Sequence, residues 1–217
     1  MTRFDQVAFV HAMKSFNSFT YLLIASFVLL IAGCANPADK TEDAKVAEAV
    51  DAVRSVVDAK LYTISGDSSI SFIGSKVTGS HDGGFKDFSG TIAVANGMIA
   101  PSSQIKIQME SLWSDSNRLT GHLKNSDFFD VPNFPTAEFV VTSLSENGEL
   151  TGNLTMRGVT NNITFPAEIN VSDSSVALKA EFDIKRFDWG IAYKGKVDDL
   201  IRDKVVIKLD VTASTDA

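Results

Sequence analysis

The clearest signal in the chain is a period of two. Ile105, Ile107 and Met109 alternate with Gln104, Lys106, Gln108 and Glu110. Ile163, Phe165, Ala167, Ile169 and Val171 repeat the pattern. So do Val176, Leu178, Ala180, Phe182 and Ile184 between Ala177, Lys179, Glu181 and Asp183. Near the C-terminus Val205, Ile207, Leu209 and Val211 alternate with Val206, Lys208, Asp210 and Thr212. Alternation turns one set of side chains to a buried face and the other to water, so each run predicts a half-buried antiparallel strand. Runs at 61–65, 69–77, 84–95, 136–144 and 149–156 bring the expectation to about nine strand segments. Glu146-Asn147-Gly148 and Ser172-Asp173-Ser174 read as hairpin turns. Gly74, Gly79, Gly83, Gly84, Gly90 and Gly152 supply bends and bulges. So many antiparallel edges in one short domain are hidden best by a closed barrel, and nearly as well by a sandwich.

Three stretches break the alternation. Residues 114–133 contain Asn117-Arg118-Leu119-Thr120-Gly121-His122-Leu123-Lys124. Ser126 and Asp127 can cap a short helical turn there, and Pro132 and Pro135 stop it, so a helical excursion between two strands is predicted. Residues 35–60 hold no aromatic side chain, and Val46, Val50, Val53 and Val57 recur at steps of four, three and four. That is one narrow helical face, with Thr41 as a cap and Ala44 and Ala49 favouring helix. A partly helical spacer is predicted, or else a helix docking on a partner or a barrel mouth. Finally, residues 21–31 read YLLIASFVLLI, an uncharged run shorter than the usual membrane-spanning helix.

Upstream of that run stand Arg3 and Lys14 against Asp5, with Met13 as an alternative start. A weakly positive leader, a short apolar stretch and small residues describe a secretory signal. The run stops at Ile31-Ala32-Gly33-Cys34, which resembles the lipobox of bacterial lipoproteins. There the cysteine thiol is acylated and the chain is cut before it. Cys34 is the single cysteine of the chain. The expected organisation is a signal peptide over 1–33, an acylated Cys34 with a tether to residue 60, a barrel domain over 61–214 and a tail over 215–217. Acyl chains contribute roughly 0.8 kcal/mol per buried methylene and would anchor the protein to membrane. Ala35, standing where an Asp favours the inner membrane, points to the outer one.

Composition narrows the chemistry. The chain has 217 residues, 44% apolar and 22% charged, which suits a globular core without a disulfide or metal staple. A formal charge of −7, one unit more acidic once the leader is removed, argues against a nucleic-acid partner. One cysteine excludes a disulfide framework and multi-cysteine metal sites. His11 belongs to the leader, His81 to the glycine-rich 79–84 segment, which reads as a flexible loop, and His122 to the helical excursion. None has metal-ligand spacing. No G-x-S-x-G elbow is present, and the glycines at 79–84 lack a following Lys-Ser/Thr and open no helix. No catalytic or metal-binding residue is therefore assigned. Arg186 beside Trp189 reads first as a stacking or ion-pairing element and second as a contact for a lipid head group.

Four motifs then combine. The first is His122-Leu123-Lys124-Asn125-Ser126-Asp127-Phe128-Phe129-Asp130 with Asn133-Phe134-Pro135 and Phe139. The second is Gly152-Asn153-Leu154-Thr155-Met156-Arg157-Gly158-Val159-Thr160. The third is Phe182-Asp183-Ile184 with Arg186, Asp188, Trp189 and Gly190, and the fourth Phe85, Phe88 and Gly90. In order and spacing over residues 61–214 they resemble the YceI-like family. The resemblance implies an all-β fold, an extended antiparallel lipocalin-like β-barrel of about eight strands. With it come a periplasmic setting and a binding role without enzymatic activity. Several family members enclose a polyisoprenoid, of quinone or prenyl-phosphate type.

Alternation alone turns Phe72, Phe88, Ile92, Ile107, Met109, Phe139, Leu154, Met156, Phe165, Leu178 and Phe182 inward. A filled core accounts for all of them as well as a ligand tunnel does. The resemblance makes these residues, with Trp189, candidates to line a lipid site. The expected function is a membrane-anchored lipid-binding protein that sequesters or carries a polyisoprenoid chain in the bacterial envelope, facing the periplasm. No cofactor other than that lipid is implied. The alternative is a filled barrel serving as a structural or interaction module in envelope stress response.

Overall fold

The computed structural model describes residues 35–52 and 56–215. The signal peptide, Cys34, Val53 and the last two residues of the tail lie outside them. Two short strands, β1 (Glu42–Asp43) and β2 (Lys45–Glu48), precede β3 (Lys60–Ile64) and β4 (Ser69–Lys76). The chain continues through β5 (Gly79–Phe85), β6 (Phe88–Ala95), β7 (Met98–Ile99), β8 (Gln104–Gln108) and β9 (Leu112–Ser114). Helix α1 (Asn117–Lys124) leads to β10 (Thr136–Leu144), β11 (Glu149–Met156), β12 (Val159–Pro166) and β13 (Glu168–Val171). The C-terminal part holds β14 (Ser175–Lys185), β15 (Gly195–Lys196), β16 (Asp199–Leu200) and β17 (Lys204–Ser214).

Apart from the short β1, which pairs in parallel, the sheet is antiparallel and strongly curled. The ladder runs β12-β11-β10-β8-β6-β3-β17, and β17 pairs along its whole length with β14. β13 follows β12 across Pro166 and Ala167 and pairs with β14, so the ladder returns on itself. β10, β11 and β12 follow one another through tight hairpins, whereas β10 and β8, β6 and β3, and β3 and β17 are neighbours that are not consecutive in the chain. At Gly148 the β10–β11 turn takes φ +80°, a left-handed conformation that favours glycine.

Inward positions follow the alternation. Leu150, Met156, Ile163, Phe165, Val176, Leu178, Phe182 and Val211 are buried in one cluster. Residues 79–84, read from sequence as a flexible loop, are instead strand β5. The glycines mark close approach, not flexibility: a Cβ at Gly83 would stand 2.3 Å from Cζ of Phe72, and one at Gly84 2.6 Å from the Ile70 carbonyl. The helical excursion exists, but it is capped earlier than predicted. Ser116 accepts from the Leu119 amide, and Ser126 and Asp127 fall in the turn after the helix.

The segment expected as a partly helical spacer is a belt around the barrel. Pro37–Lys40 is one 3-10 turn, capped by Asn36. β1 then pairs in parallel with β14 and β2 antiparallel with β12, filling the seam between those strands. Val46 and Val50, the expected helical stripe, are exposed, and Val57 is more exposed still. Polar contacts hold the belt. Ser75 donates to Asn36, Thr41 donates to the Asp183 carboxylate, and Asn153 pairs reciprocally with the Val50 backbone. Lys204 bridges Asp43 and lies 3.5 Å from Asp183. Asp183 is 1% exposed, and burial raises its pKa. The neighbouring Asp43 is held below the ordinary carboxylate range, chiefly by its hydrogen bond from Lys204.

Candidate functional site

The interior has two unlike halves. In the half nearer the turns at 145–148 and 172–174, aromatic rings fill the space. Phe165 stacks on Phe182 with centroids 4.0 Å apart, and Phe139 packs 5.7 Å from Phe165. The Phe139 ring needs the bare backbone of Gly152 opposite, where a Cβ would come within 2.4 Å of its Cζ. In the other half lies a cavity of about 600 Å³, within the range of sites for small organic ligands.

Strands supply the cavity's walls and loops its roof. Phe72 on β4 and Phe85 at the end of β5 stand 6.0 Å apart, and Phe129 follows 6.5 Å beyond. Met156, Ile184, Val205 and Ile207 complete the apolar wall. Leu119 and Leu123 of α1, with Phe128, close over it from one side, and Ile191 and Ile201 from the other.

The mouth is basic. Lys76, Arg118, Arg186, Lys196 and Arg202, with His81 and His122, are among the lining residues, and among the described residues no Asp or Glu is. This stands against a chain whose formal charge is −7. These groups are not equivalent. Lys76 is engaged by Asp199. His81 lies 2.8 Å from Asp115 and holds that carboxyl below its ordinary range through the hydrogen bond, and His122 lies 3.2 Å from Asp127. Arg186 is 4% exposed and donates to the backbone carbonyls of Ile191, Ile201 and Arg202. It braces the roof, and burial lowers its pKa. Its guanidinium also lies 4.5 Å from the Phe187 ring centroid. That leaves Arg118, Lys196 and Arg202 without an acidic partner among the described residues, and the Arg202 Nε is buried without a hydrogen bond.

The twelve sequence-predicted lining residues divide accordingly. Phe72 and Met156 line the cavity. Ile92, Met109, Phe165, Leu178 and Phe182 are buried core, and Phe88, Ile107, Phe139 and Leu154 pack against it. Trp189 is fully buried and donates from Nε1 to the Leu154 carbonyl at 3.1 Å, which pins the 186–189 turn to β11. Phe85, Phe128, Phe129, Ile191 and Ile201 escape prediction because they sit on loops or strand ends, where no period reports which way they face. Phe85, Phe128 and Phe129 lie inside the family motifs, which was the available signal. A second hollow of about 610 Å³ lies on the outer face around Lys179, Glu181, Lys208 and Asp210. Those charges pair with one another, which leaves a salt-bridged surface with no apolar enclosure.

Comparison with known proteins matches this architecture. A family model described as the YceI-like domain covers residues 62–213. The chain belongs to the YceI-like family. A protein of Pseudomonas putida described as a UPF0312 protein is 38% identical over 93 residues, 41% of this chain and 48% of its own length. The chain thus spans about half the length of the curated relatives it matches. Among solved structures, Burkholderia cenocepacia BcnA superposes with TM-score 0.61 at 23% identity, covering 68% of this chain and 96% of that one. A polyisoprenoid binding domain from Saccharophagus degradans superposes with TM-score 0.60 at 18% identity, covering 71% and 99%. At such identities the likeness is one of fold, and it agrees with the curled, lipocalin-like sheet of the YceI-like domain described above.

Proposed function

We infer that this protein binds a polyisoprenoid lipid, with the prenyl chain in the cavity of the barrel's open half and the polar end at the basic mouth. The observation that carries the reading is the pairing of an apolar cavity of about 600 Å³ with a lining that holds, among the described residues, five Lys and Arg and no carboxylate. An apolar chain gains roughly 0.8 kcal/mol per buried methylene before ordering costs, so a few isoprene units suffice for tight binding. Family membership and the fold shared with a polyisoprenoid binding domain support the same ligand class. Between a quinone and a prenyl phosphate, the unpaired Arg118, Lys196 and Arg202 favour the phosphate, because charge-assisted hydrogen bonds are the stronger ones. The role is carriage or sequestration, not catalysis. Acylation at Cys34 anchors the protein in the bacterial envelope, facing the periplasm, and Ala35 favours the outer membrane.

The test compares a prenyl phosphate with the prenol of equal length. The phosphate binds at least about tenfold more tightly, and Arg118→Ala with Arg202→Ala removes that difference while leaving prenol binding unchanged. Equal affinity for both ligands in the unaltered protein would contradict the head-group assignment. Failure of both to bind would contradict the lipid reading.

A further inference from the structure

The end of the barrel that carries the mouth also carries an apolar rim. The β15–β16 hairpin stands beside the β4–β5 turn, joined by the Val77 amide donating to the Leu200 carbonyl at 3.2 Å. Asp199 ties the two together by accepting from Lys76 and Thr78. The contact leaves the apolar side chains outside: Val197 is 96% exposed, Val77 52% and Leu200 47%. Tyr193 is exposed as well, its ring 4.9 Å from that of the cavity-lining His122. A fixed hairpin and turn that together show three aliphatic side chains to solvent gain nothing for folding from that display. Apolar residues rimmed by polar ones mark an interaction face. Lys194 and Lys196 precede Val197 and Asp198 follows it, the one carboxylate of the tip without a partner among the described residues. Long lysine stems beside apolar tips suit the boundary between lipid head groups and acyl chains.

The start of the belt lies at the same end. Asn36, the first residue of the compact unit, accepts from Ser75, which itself lines the cavity mouth. Cys34 stands two residues before Asn36 in the sequence.

We propose that the β15–β16 hairpin and the β4–β5 turn form a membrane-docking face, which seats the cavity mouth on an anionic lipid bilayer. The docked mouth then takes its ligand directly from the bilayer, and an apolar chain need not cross water between membrane and cavity. The occupant is a lipid surface because an apolar rim, a basic mouth and the start of the belt at Asn36 coincide at one end. The proposal rests on the lipid-binding reading for its purpose, and its test is separable from that reading.

The test uses the full chain, recovered from bacterial membranes and reconstituted into vesicles of phosphatidylethanolamine and phosphatidylglycerol. An indole is introduced at the rim by Val197→Trp or at the opposite end by Met98→Trp. Lipids brominated near the head-group boundary then report contact by quenching. The docking face predicts several-fold stronger quenching for Val197→Trp than for Met98→Trp. Adding Val77→Asp and Leu200→Asp to Val197→Trp abolishes that difference. Equal quenching of the two indoles, or none at the rim, overturns the proposal. Lipid extracted from the same preparations is identified by mass spectrometry. Retained prenyl lipid without rim quenching sinks the docking face and leaves the cavity reading intact. Rim quenching without retained lipid upholds docking and sinks the cavity reading.

Discussion

The two halves of the barrel interior obey the same alternation, yet one is filled and the other open. In the filled half Phe139, Phe165 and Phe182 interlock ring on ring, and tight turns close the end. In the open half the inward positions of β4 and β5 include Gly74 and His81, and the Phe72–Phe85–Phe129 row runs along one wall. Helix α1 and the 190–202 loop stand over the gap. A barrel of this strand number has room for side chains or for one ligand. Here the choice is made separately at each end, by the size of a few inward side chains and by the connections above them.

Breaking the filled half has the largest consequence. Phe165→Ala removes a ring that is 2% exposed and stacked on Phe182, and costs about 3–5 kcal/mol in urea unfolding. Phe129→Ala in the open half costs less, about 1–2 kcal/mol, because that half-buried ring already borders empty space. Similar losses at the two positions would erase the distinction between the halves.

Overfilling sharpens the contrast. Leu154 packs against the core, and its carbonyl receives the Trp189 indole. Leu154→Trp therefore overpacks and costs roughly 1–3 kcal/mol in thermal or chemical unfolding. It leaves lipid retention unchanged, because Leu154 does not line the cavity. Loss of lipid in this variant at unchanged stability would extend the cavity into the half described as filled.

The belt over the outside gives a smaller effect with a pH signature. Lys204→Ala leaves the buried Asp183 beside Asp43 without their shared cation, which costs about 1–2 kcal/mol near neutral pH. Burial holds the Asp183 pKa above its ordinary 3.8, so the folded state binds that proton more tightly. The stability contributed by Asp183 accordingly falls as pH rises between 3.8 and the raised value. Asp43, lowered chiefly by Lys204, has the opposite sign: its contribution is present above 3.8 and lost as pH falls below it. The cost of Lys204→Ala is thus greatest at neutral pH and shrinks on acidification, as Asp183 takes up its proton. A pH-independent cost, measured by unfolding at a series of pH values, would remove Asp183 from the account.

The barrel was legible because burial on one face writes a period of two into the sequence, and β8, β12, β13, β14 and β17 carry it plainly. β5 was not, because its glycines serve close packing against Phe72 and the Ile70 carbonyl yet look like loop residues. The belt was not legible either. β1 and β2 are fully exposed edge pieces held by backbone pairing and by Asn153, so apolar burial leaves no period in them. Four valines at helical steps were the only pattern there, and those described point to solvent. For the site, inward direction could be read and emptiness could not. Alternation placed Phe72 and Phe165 alike, and only the packing of the layers separates a wall from a plug.

The most direct test of that separation is the lipid carried by the purified protein, measured by mass spectrometry in the unaltered chain and in Ile207→Trp. Ile207 lines the cavity and pairs across the sheet with Phe72 and Phe182. In an open half the added volume has somewhere to go, so the substitution costs less than about 1 kcal/mol, against the larger penalty of a packed site. The account predicts about one prenyl lipid per chain in the unaltered protein and none in Ile207→Trp, at nearly equal stability. Lipid retained in Ile207→Trp, or its absence from the unaltered protein, would contradict the account.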